Sequence, residues 1–315
     1  MIDLKIKRII LTAYCALLAA FSIYLLLDTF VIERVYSAEG SVSEQTESIT
    51  VSAGGSEQDS GSKTVNAART ETTVTKDTYQ DENISIKITE YRTNGTTVYA
   101  ADIQLSSAGY LKTALAKGLY GRNVTARTSV TAAENDAILA INGDYYGSQQ
   151  KGYVIRNGVL YRSTAVKGKQ DLVIYEDGSF GIINEEDISA EQLLADGAVQ
   201  VLSFGPAIVE DGEVTVSSSY EVGKAMASNP RTAIGIIDDL HYVFVVSDGR
   251  TSESEGLSVR ELAEFMKSLG VKTAYNLDGG GSSTMWFNGS IVNKPTSNGR
   301  TISERSVSDI VYIGY

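Results

Sequence analysis

The chain has 315 residues, a formal net charge of −12, one Cys (Cys15) and one His (His241). So acidic a chain offers no basic face to a phosphate backbone, which argues against nucleic acid as a partner. One Cys forbids an intramolecular disulfide, and one His leaves little room for a Ser-His-Asp triad or a His-rich zinc site. Chemistry must rest on Asp, Glu, Arg, Asn, Ser, Tyr and the backbone.

Lys5, Lys7 and Arg8 precede an uncharged apolar run over residues 9–27, ended by Asp28 and extended by residues 29–32. About 20 such residues cross a bilayer as a helix. Positive charge on the short N-terminal side places that side in the cytoplasm. A cleaved signal peptide would have a shorter apolar region, about 7–15 residues. Tyr36 also spoils the Ser37-Ala38 pair as a cleavage site. The expectation is an uncleaved single-pass anchor through residues 9–32, with the remainder extracellular. Residues 1–36 form that tip and anchor. Residues 37–82 are rich in Ser, Thr, Gly and acidic side chains and contain no Leu, Phe or Trp. Such a segment buries too little apolar surface to order itself, so it reads as a disordered linker holding a domain away from the membrane.

The folded domain is expected over residues 83–315. Residues 84–88 alternate with period two, and Asn94-Gly95 predicts a hairpin to a strand over 98–105. Residues 110–117 read as a short helix closed by Gly118. A second helix over 129–135 leads into an apolar strand over 137–141. Asn157-Gly158 and Asp177-Gly178 mark two more hairpins. Ser189 caps a short helix, and the pairs Asp211-Gly212 and Asp238-Asp239 mark further turns. Ser258 and Glu261 form a capping box. Val259, Leu262, Ala263, Met266 and Leu269 then share one helical face, ended by Gly270. A strand over 273–277 follows, and residues 310–313 form the last one. Many hairpins with few helices predict an α+β domain: a mixed, largely antiparallel sheet with a few flanking helices, preceded by one transmembrane helix.

The strand over 273–277 ends at Asp278-Gly279-Gly280-Gly281-Ser282-Ser283. Three glycines permit φ > 0 and close approach of a ligand to the main chain, and successive N–H groups there can converge on an anion. No Lys follows them, which argues against a nucleotide-binding P-loop. Turn residues cluster this way in ordinary loops too. Other segments decide the reading: Ile141-Asn142-Gly143-Asp144-Tyr145-Tyr146, Asn229-Pro230-Arg231-Thr232-Ala233-Ile234-Gly235, and Ser303-Glu304-Arg305-Ser306-Val307-Ser308-Asp309. With the glycine stretch between the last two, and Phe204-Gly205-Pro206 as a weaker fifth, the chain resembles the phosphodiester glycosidase family. The last segment often reads Glu-Arg-Pro-Val-Ser-Asn in that family; here Ser306 and Asp309 replace the proline and the asparagine.

The resemblance implies a hydrolase that cleaves the glycosidic bond of a sugar-1-phosphodiester, of the GlcNAc-1-phosphate type, in a cell-surface or exopolysaccharide substrate. Glycosidases commonly use paired carboxylates. A phosphate leaving group asks more for cations, and the arginine fork matches phosphate oxygens. Asp278 is expected at the anomeric centre, with Glu304 or Asp144 as second carboxylate. Arg231 and Arg305 would bind the phosphodiester, helped by N–H groups of Gly279, Gly280, Gly281 and Ser282. Asn142 and Ser283 would bond the sugar, and Asp248 and Arg250 stand in comparable places beside turns. No metal ligand set and no cofactor is expected, since no acidic run has calcium-loop spacing. Two alternatives stay open: a non-catalytic wall-polysaccharide binder, and a phosphodiesterase attacking phosphorus. Sequence is silent on oligomeric state.

Overall fold

The computed structural model describes residues 4–39, 72–218 and 228–315, with side chains from residue 9 onward. Three antiparallel sheets meet on one shared core, and each carries a helix on its outer face. The largest has nine strands in the order Glu213–Val214, Ala207–Glu210, Thr273–Leu277, Arg231–Asp238, His241–Ser247, Thr96–Leu105, Ile84–Thr93, Thr78–Gln80, Thr73–Val74. A five-stranded sheet runs Ser290–Ile291, Met285–Phe287, Leu139–Asn142, Asp309–Ile313, Leu111–Leu115. A second runs Val159–Arg162, Val154–Arg156, Ala198–Leu202, Gln170–Tyr175, Phe180–Asn184.

Period-two patterning turns one face of each sheet inward. Ile84, Ile86, Ile103 and Phe244 of the large sheet pack against Leu139, Ile141, Val311 and Leu172 of the other two. The outer faces take the helices. α1 is Leu4–Phe30, α2 Thr128–Glu134, α3 Ala190–Ala195 and α4 Val259–Ser268. Leu262, Ala263 and Met266 of α4 bury against Ala233, Val245 and Ala274. Ala190 and Leu193 of α3 bury against Ile155 and Val201, and Ala132 of α2 against Trp286 and Ile310. Burying one such aliphatic side chain is worth about 1.5–3 kcal/mol, so these stripes outweigh the modest intrinsic helicity of short segments.

Local signals act where chemistry forces a backbone state. Asn94-Gly95, Asn157-Gly158, Asp211-Gly212 and Asn288-Gly289 all have φ > 0 at both residues, as tight hairpins require. Ser258 and Glu261 form the reciprocal capping box. One element differs from expectation. Residues 110–117 hold a strand, Leu111–Leu115, between two short 3-10 turns. All five of its residues pair with Asp309–Ile313, so a sheet edge overrides the helix propensity of Leu, Lys and Ala.

α1 holds a 22-residue stretch, Ile9–Phe30, long and apolar enough to cross a membrane. The chain rejoins the domain sooner than a linker from residue 37 would allow. Arg34–Val35 pairs antiparallel with Gly121–Arg122, and Glu39 N–H donates to Leu160 O at 2.9 Å. Backbone pairing, rather than side-chain apolarity, orders Ser37–Glu39. Residues 40–71, where most of the expected linker falls, lie outside the described residues.

Candidate active site

Several strands end together at one edge. Thr232 pairs with Leu277, and Asn142 with Ile310. The register therefore brings Asp278, Gly143, Arg231 and Asp309 to the same rim. Asn142 stitches the rim across two sheets. Its amide N donates to Asp278 O at 2.7 Å, and its Oδ1 accepts from Thr232 Oγ1 at 2.8 Å.

The glycine loop carries the chain from the nine-stranded sheet to the Met285–Phe287 strand. Gly280 has φ +64°, and a Cβ at Gly281 would fall 2.1 Å from Ser297 Oγ, so both positions need glycine. The N–H groups of Gly280, Ser282 and Ser283 donate to Pro230 O, Gly279 O and Gly280 O. The first ties the loop to Pro230 and the other two are turn bonds within it, so these three N–H groups do not converge on an anion.

Asp278 stands at a cleft of about 310 Å³, lined also by Asn123, Thr125, Tyr145, Arg305 and Ser308. Its carboxylate accepts from Ser282 Oγ at 2.6 Å and from an Arg305 terminal nitrogen at 3.0 and 3.3 Å. Arg305 Nε reaches Ser282 Oγ at 2.9 Å. Burial pushes Asp278 above the usual carboxylate range, while Arg305 and Ser282 pull it back. Tyr145 forms part of the wall, edge-on to Phe204 at 4.8 Å. Burial, then the charges of Asp144 and Asp278, raises its phenol.

Cationic charge follows the same loop. Arg250 lies against Gly280, and Arg231 packs its aliphatic stem beside Gly279. Arg250 Nε donates to Asn229 Oδ1 at 3.1 Å and its NH1 to Ser297 O at 2.7 Å; Arg231 Nε donates to Leu257 O at 2.9 Å. Burial, then the charge of Arg250, holds Arg231 down at about 10. Burial, then Arg305, lowers Arg250. The three guanidiniums thus form one repelling series, Arg231 to Arg250 to Arg305; Arg231 is buried, Arg250 and Arg305 are exposed, and Arg305 pairs with Asp278.

The other expected site residues are more deeply buried or bonded elsewhere, though Asp144 shares the cleft lining. The Asp144 side chain has 0% exposure, against 18% for Asp278. Asp144 also lines the cleft, and Arg156 reaches it at 2.8 Å and Asp309 at 2.7 Å in a buried triad. Ser203 N–H and Tyr146 N–H also bond Asp144. Burial alone would raise it, but Arg156 and those donors hold it below the ordinary value. Glu304 takes Ser129 N–H at 2.9 Å and Ser129 Oγ as well. It thereby caps α2, whose own N-cap, Arg127, supplies no side-chain bond. Asp248 is buried under Lys294 N–H at 2.8 Å, and desolvation raises it. Ser283 is buried, and its Oγ has no hydrogen-bond partner. These placements suit a framework more than a substrate surface.

In the sequence Arg156 stands only as the residue before a turn. Its one signal was Asp309, the acid that replaces the family's asparagine. Among the described residues, no group of three or more His, Cys, Asp or Glu is placed to hold a metal ion.

A family model described as phosphodiester glycosidase matches residues 135–314. The SPbeta prophage-derived uncharacterized protein YomE of Bacillus subtilis (strain 168) is 29% identical over 189 residues, covering 58% of this chain and 29% of its own length. Mouse N-acetylglucosamine-1-phosphodiester alpha-N-acetylglucosaminidase is 28% identical over 181 residues, covering 53% and 35%. The chain spans about a third of the length of these curated relatives. The solved zebrafish catalytic domain of that glucosaminidase, auto-inhibited by its pro-peptide, matches with a TM-score of 0.58 and 22% identity over 74% of this chain and 83% of that one. A hypothetical protein from Synechocystis matches at 0.54 and 14% identity, over 74% and 62%. Identities this low show a shared fold.

Proposed function

Because the chain belongs to the phosphodiester glycosidase family, we propose that it hydrolyses the glycosidic bond of a sugar-1-phosphodiester at the extracytoplasmic face of a membrane, with α1 as its anchor. The observation that carries this reading is the joint placement of Asp278 and Arg305 at the cleft, with Arg250 next in the cationic series. A carboxylate for the anomeric carbon and cations for the departing phosphate then gather around the glycine loop, from three separate segments.

The reaction breaks the bond between sugar C1 and the phosphate oxygen. Positive charge develops at C1, and Asp278 meets it as nucleophile or as base for water. The electron pair leaves with a phosphate monoester, already stable as an anion. Arg305 and Arg250 repel each other in the free enzyme, and a phosphate between them relieves that repulsion as charge builds on its oxygens. No second carboxylate is needed to protonate such a leaving group, which fits the pairing of Asp144, at the cleft lining, with Arg156 and the capping role of Glu304. Arg231 acts from below, fixing the loop and adding positive potential. Tyr145, Thr125 and Ser308 form the sugar wall. Asn142 positions Asp278 through its main chain.

Asp278→Asn should lower release of N-acetylglucosamine from its 1-phosphodiesters by on the order of 10³-fold while the unfolding midpoint holds. Near wild-type turnover in a folded variant overturns the assignment.

A further inference from the structure

The end of α1 is clamped to the domain beside the cleft. Asn123 Nδ2 donates to Thr29 O at 3.2 Å and Ile32 O at 3.0 Å, and Arg122 donates to Thr29 O at 3.3 Å. The Arg34–Val35 pairing follows at once, and Tyr36 N–H donates to Tyr120 O at 2.9 Å. A Cβ at Gly121 would fall 2.1 Å from Arg34 O, so this glycine is what lets the juxtamembrane strand close. Lys117 pairs with Glu33, and Arg34 with Asp28. Asn123 is also a wall residue of the Asp278 cleft. One side chain thus joins the end of the apolar helix to the candidate active site.

A second cavity, of about 420 Å³, lies at this junction, lined by Arg34, Tyr36, Tyr120, Arg122, Tyr161 and Arg162 among others. Its wall is continuous in sequence with that of the cleft, Arg122 adjoining Asn123 and Gln149 adjoining Ser148. Tyrosine and arginine are side chains suited to the headgroup layer, apolar in body and polar at the tip. Val31, Val35 and Leu119 expose 62%, 56% and 41% of their surface at the same end. The headgroup layer is about 5–8 Å deep on each side of the hydrocarbon core. A cleft wall within one side chain's reach of the helix end therefore lies at that depth. A free tether of a few tens of residues would instead let the site roam about 30 Å outward.

We propose that the cleft works at the membrane surface and that its substrate is a glycosyl-1-phosphoryl lipid, a phosphodiester joining sugar C1 to a membrane-embedded lipid alcohol. The inference rests on the hydrolase reading above. Sugar and phosphate occupy the Asp278–Arg305 cleft, and the lipid arm leaves through the Tyr–Arg cavity beside α1. The C1–O bond breaks, water supplies the hydroxyl to C1, and its other proton is released. The bond electrons stay with the lipid phosphate monoester, which remains in the bilayer while the free sugar departs.

The test uses the full chain in phosphatidylcholine–phosphatidylglycerol vesicles, beside a variant with a Gly/Ser insert of about 12 residues between Ile32 and Glu33. Two probes are compared: N-acetylglucosamine-1-phosphoryl polyprenol in the vesicles, and the water-soluble methyl ester of N-acetylglucosamine 1-phosphate. The insert should lower turnover of the vesicle-borne lipid about tenfold or more, through lost effective concentration, and leave the methyl ester unchanged. Equal turnover of the lipid with and without the insert overturns the proposal. Wild-type chain that cleaves the methyl ester but not the lipid overturns it too, while sparing the hydrolase reading. Cleavage of neither probe defeats that reading itself.

Discussion

Asp309→Asn removes one acid from the buried triad. Arg156 contacts Asp309 Oδ2 through Nε at 2.8 Å and through NH2 at 2.7 Å, and it reaches Asp144 with the same NH2. One guanidinium therefore serves two carboxylates that have no exposed surface. Asp144, with its backbone donors, keeps the charge. Burial pushes Asp309 up to about 7 from an ordinary 3.8, Arg156 pulling back and the charge of Asp144 pushing further. The folded state thus holds this proton more tightly than the unfolded one. That contribution is complete below about pH 3.8 and is lost as pH rises through about 7. A shift of about three units at 1.36 kcal/mol each bounds the effect at roughly 4 kcal/mol. Asp144, held low, titrates below this window and contributes no slope within it. Urea unfolding at about pH 5 and about pH 8.5 should show the wild-type chain losing a large part of that stability, and Asp309→Asn keeping most of it. An equal loss in the variant would refute the assignment of this proton to Asp309.

Two further substitutions separate roles at the site. Glu304→Gln should weaken the cap of α2 by about 1 kcal/mol, read as a lower unfolding midpoint, with kcat unchanged; a stable variant with collapsed kcat would return Glu304 to catalysis. Arg305→Ala removes the cation that opposes the burial of Asp278, so the acidic limb of the kcat/KM profile should move to higher pH, with a fall of about 10- to 100-fold; a limb that stays in place would separate Arg305 from Asp278.

What sequence could reveal here was decided by how local each signal is. Asn-Gly turns and the Ser258–Glu261 box act within a few residues, and they stand where the pattern put them. Leu111–Leu115 answers to a strand nearly 200 residues away, which no window around it contains. The site divides in the same manner. Asp278, Ser282 and Arg305 are all candidate residues from the sequence, and the fold brings them together. Asn142, Asp144 and Asp248 look alike in sequence, polar residues beside turns, and burial alone tells them from Asp278. Arg156 had no local mark, because its partners come from a loop 12 positions away and a strand 153 positions away.

The proposed hydrolysis breaks the bond between sugar C1 and the phosphate oxygen, under Asp278. Hydrolysis of N-acetylglucosamine-1-phosphate methyl ester in ¹⁸O-water tests it most directly, with both products weighed by mass spectrometry. The label should appear in N-acetylglucosamine and be absent from methyl phosphate. Label in the phosphate would mean attack at phosphorus and would contradict the account.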